Sequence, residues 1–316
     1  MATDPGKQAS HASFRTPRRL LLYRFIEEHR WILPLPSVVT GVTLIVLSSR
    51  DSRPLWVWLS VILMAATGFI WGYGTRALRR MYPRWPRLQH FRRREYASVW
   101  DTLSLSRNLA SEAATGFSDE KTIRGRGQEI VDSLIELAQI GSDDAVLEIG
   151  CGIGRVGVML APHCRSWTGA DISSNMLAHA AARLGDLANI RLVRLSTVGL
   201  GEFADQSFDV VYSTNVFAHL EHADRWRYVQ EAFRVLHLGG RLCIDNVDLE
   251  GDAGWAGFSR DLSTTRHEES TPYAPRPSTA AELTTYLRRA GFGKISAHHR
   301  PPLVIATGIK LNEQNR

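Results

Sequence analysis

The stretch VLEIGCGIGRVG, Val146–Gly157, decides the fold. Its glycines fall at Gly150, Gly152, Gly154 and Gly157, so two fingerprints overlap. From Gly152 it reads G-x-G-x-x-G, a dinucleotide loop in which the strand runs straight into the first glycine. From Gly150 it reads G-x-G-x-G, with VLEI as the strand and Glu148 two residues before the turn. That carboxylate lies near the strand's C-terminal end, where α/β sheets bind ligands, and there it suits a positively charged ligand end. It would oppose a pyrophosphate approaching the helix N-terminus. The charge therefore favours the turn that begins at Gly150, leaving Gly157 to pack a helix against the sheet.

Outward from this loop, strands and helices alternate. A helix is predicted at about 127–139, then the strand AVLEIG and a helix to about Pro162. SWTGAD (166–171) is a second strand, and Ser173 or Ser174 caps a helix through Leu184. IRLVRL (190–195) and FDVVYST (208–214) follow, then a helix from about Arg225 to Leu236 that Gly239 and Gly240 stop before RLCIDNV (241–247). Thr279 and Glu282 form a capping box opening a helix to about Ala290. Two final strands, near 294–299 and 302–309, have no helix between them and must be antiparallel. This alternation predicts an α/β fold, a mostly parallel sheet with helices on both faces.

The first hundred residues differ. They carry 16 Lys/Arg against 5 Asp/Glu, whereas the remainder carries 22 against 27. Two uncharged runs, 31–47 and 55–74, are separated only by SSRDSRP. At about 1.5 Å per residue the second spans roughly 30 Å, a bilayer's hydrocarbon core. Trp31, Trp56, Trp58, Trp71 and Tyr73 cluster near the ends, and arginines flank both outer sides. The pattern predicts a two-helix transmembrane hairpin at 31–75 with both flanks, and the soluble domain, on the cytoplasmic side. A basic segment at 1–30 precedes it, and a basic collar with lid helices at 76–123 leads into the domain at 124–310. The membrane is the expected partner of the basic third; nucleic acid is not expected. Cys151, Cys164 and Cys243 fit no disulfide or zinc spacing, and no metal is expected.

At this point the sequence resembles the class I S-adenosylmethionine-dependent methyltransferases over roughly residues 95–309. VLEIGCGIG is similar to their first motif, Asp171 to their ribose-binding acid, FDVVYSTNVFAHL to their fourth-strand motif, and EAFRVLHLGGRLCIDN to the segment leading into the fifth strand. The resemblance implies a Rossmann-like seven-stranded sheet with an antiparallel terminal pair, S-adenosylmethionine as cofactor, and methyl transfer. It implies a cofactor loop of Gly150, Cys151, Gly152 and Gly154, with Glu148 orienting that loop or meeting the amino group. Asp171 would accept the ribose hydroxyls, Ile172 and Met176 pack on adenine, and Asn215 face the sulfonium. Many members place an acid after the third strand; here Ser196 stands in its place. A helix at 95–107, with Tyr96 and Trp100, resembles the lid that closes over the cofactor.

For the acceptor, Asp245 at the fifth strand's end and His219 after the fourth are the candidate general bases. The long segment 249–277 interrupts the alternation, and Trp255 and Phe258 suggest a substrate cover. A membrane anchor favours a small-molecule acceptor that is lipid or lipid-linked, with O-methylation preferred. Two other readings remain open at this stage: a catalytically silent cofactor-binding scaffold, and a nicotinamide oxidoreductase using Gly152–Gly157.

Overall fold

A computed structural model describes Arg92, residues 94–264 and residues 273–312. The basic segment at 1–30, the hairpin at 31–75 and most of the collar lie outside the described residues. Among the described residues, no helix is long and apolar enough to cross a membrane.

Three helices lead into the sheet: α1 (Tyr96–Leu103), α2 (Arg107–Thr115) and α3 (Glu120–Ala138). The sheet then alternates β1 (Ala145–Ile149), α4 (Gly157–Leu160), β2 (Ser166–Asp171), α5 (Ser174–Leu184), β3 (Ile190–Arg194), β4 (Phe208–Ser213), α6 (His222–Val235) and β5 (Leu236–Val247). After α7 (Asp252–Thr264) come α8 (Ala280–Ala290), β6 (Phe292–Arg300) and β7 (Leu303–Lys310). The strand order is β3-β2-β1-β4-β5-β7-β6. The first five strands run parallel, and β7 is antiparallel to both β5 and β6.

Local chemistry sets the helix starts. Asp119, Ser173 and Thr279 each accept the backbone N–H three residues on, capping α3, α5 and α8. Gly116 and Gly291, with φ of 78° and 101°, end α2 and α8 in the left-handed conformation. Every residue of β1 is buried, as expected of a central strand covered on both faces. Leu147 and Ile149 pack with Val229, Ala232, Leu283 and Leu287 from α6 and α8. On the other face Val146 packs with Trp167, Leu134, Leu160 and Leu177.

Two expectations need correction. The segment 249–277 is not an irregular loop, because Asp252–Thr264 within it is helical. Gly239 and Gly240 do not separate α6 from β5 either. The helix ends at Val235, the strand begins at Leu236 and runs through both glycines, and its register against β4 shifts between Phe208 and Val210. A Cβ on Gly240 would lie 2.8 Å from the His237 carbonyl oxygen and 3.2 Å from that of Asp209. The irregularity has no room for a side chain there.

Gly157 does pack its helix onto the sheet: a Cβ there would sit 2.3 Å from the Trp167 ring. Trp167 is fully buried, and its indole N–H donates to the Tyr212 hydroxyl at 3.0 Å, so the ring has little freedom to yield. Gly157→Ala, a residue otherwise at home in a helix, is expected to lower stability by about 1–3 kcal/mol through overpacking. Urea denaturation reads this, and an unchanged midpoint would show that Trp167 can move aside.

Candidate active site

The glycine turn leaves β1 at Ile149 and requires positive φ at Gly150 (72°), Gly152 (52°) and Gly154 (70°), where a side chain would be strained. Its backbone is tied to β2, since the N–H groups of Gly150 and Cys151 both donate to the Ala170 carbonyl, at 2.7 and 3.0 Å. A Cβ on Gly152 would meet only Ala114, at 3.8 Å, so the turn lies open toward a cleft. Asp171, at the end of β2, closes the arrangement. One of its carboxylate oxygens accepts the Gly152 N–H and the other accepts the Ser173 N–H, both at 2.8 Å. Each oxygen retains a second lone pair for a further donor. Burial pushes this carboxyl up to about 6.

The cleft above the turn encloses about 850 Å³, its open mouth included. Glu148, Gly150, Cys151, Gly152, Asp171, Ile172, Met176 and Asn215 all line it, as the sequence led us to expect, and so do Tyr96, Trp100 and His219. Gly154 packs behind the turn, its Cβ position 3.2 Å from Ala180. Leu195, Tyr228, Ala113, Ala114 and Arg155 also line the cleft, and sequence reasoning missed them. The alanines come from α2, which no periodic apolar stripe announces. Arg155 follows the last glycine of the turn directly, and that adjacency was the one signal available.

Glu148 lines the cleft from beneath the turn. It is buried and accepts the Tyr212 hydroxyl at 2.7 Å, and burial pushes its carboxyl up to about 8. The bond to Tyr212 ties it into the network under the turn. Burial also holds the Cys151 thiol well above the usual range, which leaves it unreactive.

Helix α1 is fastened at two ends. The Tyr96 hydroxyl donates to Asp224 on α6 at 2.8 Å and accepts the Glu221 N–H at 3.0 Å. Arg94, from the collar, forks onto the same Asp224 carboxylate at 2.8 and 3.0 Å. Asp101 accepts the Ser173 hydroxyl at 2.7 Å and the Asn175 N–H at 3.1 Å, docking α1 on the start of α5. Nδ1 of His219 lies 2.7 Å from the Tyr273 carbonyl oxygen, and its ring meets Trp100 edge-on at 5.0 Å. Because a carbonyl oxygen only accepts, Nδ1 is the donor in that contact.

A second cleft, about 1150 Å³ including its mouth, opens at the ends of β5 and β7. It shares Arg155, Thr214 and Asn215 with the first. Asp245 lines this second cleft and not the first. It accepts the Asn215 N–H at 2.7 Å, and burial pushes it up to about 7. Asn215 itself adopts φ of 59°, just past the end of β4.

Three expected site residues fall outside both clefts. Ser196 is exposed and commits its backbone N–H and hydroxyl to Glu202, at 2.7 and 2.6 Å. Trp255 is 57% exposed on α7 and packs on Phe258 at 5.6 Å, so neither covers the clefts described. Among the described residues there is no cluster of side chains able to hold a metal ion.

Comparison with known proteins bears on this geometry. Residues 146–240 match a family model described as a methyltransferase domain. The chain is 31% identical over 191 residues to the "Probable S-adenosylmethionine-dependent methyltransferase" of Mycolicibacterium smegmatis, covering 58% of this chain and 67% of that one. It is 27% identical to the 27-O-demethylrifamycin SV methyltransferase of Amycolatopsis mediterranei, covering 58% and 66%. The chain spans about two thirds of these relatives and about half of others. Among solved structures, the fold is similar to that of Haemonchus contortus phosphoethanolamine N-methyltransferase 2 in complex with phosphomonomethylethanolamine and S-adenosylhomocysteine. The TM-score is 0.53 at 17% identity, covering 70% of this chain and 61% of that one.

The buried carboxyls have a consequence for stability. Glu148, Asp245 and Asp171, raised to about 8, 7 and 6, keep protons that the unfolded chain releases near pH 4. Their contribution is full below that pH and is lost as pH rises through each raised value. Glu148→Gln removes the largest of these, so from pH 5 to pH 8 the variant is expected to lose less stability than the wild type. Urea midpoints at the two pH values measure this; equal losses would mean that Glu148 ionises normally.

Proposed function

The chain belongs to the S-adenosylmethionine-dependent methyltransferases, and from that premise we propose that it methylates a lipid or lipid-linked small molecule at the cytoplasmic face of a membrane. The residues present fit the family's cofactor. The glycine turn brings backbone to the cleft, Asp171 keeps a lone pair on each oxygen for a pair of hydroxyls, and Ile172 and Met176 offer an apolar wall. Bound there, S-adenosylmethionine supplies a sulfonium-activated methyl group with a neutral thioether as leaving group.

The observation that carries the reading is the wall common to both clefts, formed by Arg155, Thr214 and Asn215. A donor in the first cleft and an acceptor in the second meet at that wall, which is the positioning that an in-line displacement needs. Asp245 stands on the acceptor side. With its carboxyl raised to about 7, it is poised near neutral pH to take the proton of an acceptor hydroxyl. His219 stands on the donor side and fastens the lid through Tyr273 and Trp100. The arrangement favours Asp245 as the base and O-methylation as the reaction.

The lipid acceptor and the membrane location rest on the sequence. Residues 31–75 hold two uncharged runs between arginine-rich flanks, and an anchor of that kind concentrates an enzyme near membrane-borne substrates. Residues 124–310 then form the catalytic domain, and 76–123 join it to the anchor. The names of relatives support small-molecule acceptors of varied chemistry: a demethylrifamycin in one, and phosphoethanolamine in a Triticum aestivum protein that is 25% identical over 55% of this chain.

Incubation of the full chain with methyl-labelled S-adenosylmethionine is expected to label a membrane lipid extract. Label confined to a water-soluble extract would remove the lipid acceptor. With the labelled acceptor in hand, Asp245→Asn is expected to lower kcat by roughly 10²–10⁴-fold. An unchanged kcat would exclude Asp245 as base. Asp171→Ala is expected to cost about 1.5–3 kcal/mol of S-adenosylhomocysteine affinity by calorimetry, the worth of hydrogen bonds to a charged group; unaltered affinity would take Asp171 out of the cofactor site.

A further inference from the structure

Two buried arginines near the site have opposite fates. Arg225 is fully buried and fully engaged. Its Nε donates to the Phe217 carbonyl at 2.8 Å, Nη1 to Ser278 Oγ at 2.8 Å and to Glu282 at 2.9 Å, and Nη2 to the Arg276 carbonyl at 2.6 Å. Arg155, only 8% exposed, makes no hydrogen bond and no ion pair with any described residue. A guanidinium is permanently charged and carries five N–H donors, and those of Arg155 are not sealed from solvent, since Asn175 Oδ1 is the one fully buried side-chain polar atom without a partner among the described residues. Arg155 lines both clefts at their common wall.

Its surroundings do not supply the missing partner. Glu148 and Asp245 are the carboxyls that act on it through space. Each is already engaged, Glu148 with the Tyr212 hydroxyl and Asp245 with the Asn215 N–H. Burial also raises both, so their compensating charge is incomplete near neutral pH. The other cations of the second cleft are neutralised: Arg126 pairs with Glu129 at 3.0 Å and Arg300 with Glu136 at 2.6 Å. Phe117, Leu134, Leu303 and Ile305 give the same cleft an apolar side.

We propose that Arg155 recognises the acceptor, receiving a carboxylate or phosphate group whose attached hydrocarbon lies along the apolar side of the second cleft. The planar fork of a guanidinium matches either anion with two parallel hydrogen bonds. The inference rests on the reading of a small-molecule acceptor in that cleft and adds its chemical class. It assigns Arg155 to the acceptor rather than to the cofactor's own carboxylate.

The test is a calorimetric titration of the full chain, saturated with S-adenosylhomocysteine, using phenyl phosphate, benzoate and benzyl alcohol as probes. At least one anion is expected to bind tenfold or more tightly than the neutral alcohol, and the tighter anion tells phosphate from carboxylate. Arg155→Gln is expected to abolish that preference and Arg155→Lys to retain part of it, with S-adenosylhomocysteine affinity within threefold of wild type in both. Equal binding of all three probes by the wild type would overturn the proposal, and this comparison needs no variant. Preference retained in Arg155→Gln, or a tenfold loss of S-adenosylhomocysteine affinity there, would overturn it too. Probe binding is read without turnover, so failure to label a lipid extract and failure of this proposal are separate results.

Discussion

The carboxylate of Asp171 is the tie on which the site depends. Its two oxygens hold backbone N–H groups from two different segments, Gly152 in the turn after β1 and Ser173 at the start of α5. Without it the turn would be secured to β2 only through Ala170. Helix α1 converges on the same place, because Asp101 takes the Ser173 hydroxyl and the Asn175 N–H. Turn, helix start and α1 are thus fixed relative to one another by short polar contacts at the C-terminal edge of β1 and β2. That edge is where a parallel sheet offers its ligand crevice.

Beneath this edge the fold accepts buried ionisable groups. Trp167 donates to Tyr212, and Tyr212 donates to Glu148, a chain of hydrogen bonds running under the glycine turn. Satisfied polar networks of this kind fix one arrangement of a core, whereas an unsatisfied buried group is costly. Arg225 follows the first rule, joining the turn after β4 to α8 and to the segment before it. Arg155 has no bonded partner among the described residues, and its side chain opens on the clefts at their common wall. Arg94 shows a different economy: an exposed arginine of the collar neutralises the buried Asp224 and thereby steadies Tyr96 of the lid.

Much of the succession of strands and helices and of the first cleft was legible in the residues. The strand-turn-helix at Val146–Gly157, the caps Ser173 and Thr279, and the acid at Asp171 are local signals whose meaning depends on a few neighbours. Signals of another kind misled. Ser196 occupies the expected place after β3, yet Glu202 takes both its hydrogen-bonding groups. Trp255 and Phe258 are aromatic residues in an irregular-looking segment, yet they lie on a helix and away from both clefts. The cleft-lining Ala113 and Ala114 had no signal, since a small side chain admits a ligand by being small and carries no chemistry to notice.

By itself the sequence determined the seven-stranded α/β fold, because strand and helix periodicity are read over a few consecutive residues; the cofactor came with the resemblance that the motifs carry. Only the tertiary structure decided that Asp245 faces the second cleft, that burial raises the Glu148 carboxyl, and that the Arg155 side chain has no bonded partner among the described residues. Those properties depend on burial and on distances between residues far apart in the chain. Desolvation and pairing of charges are set by what surrounds a group in three dimensions, and spacing along the chain does not record that.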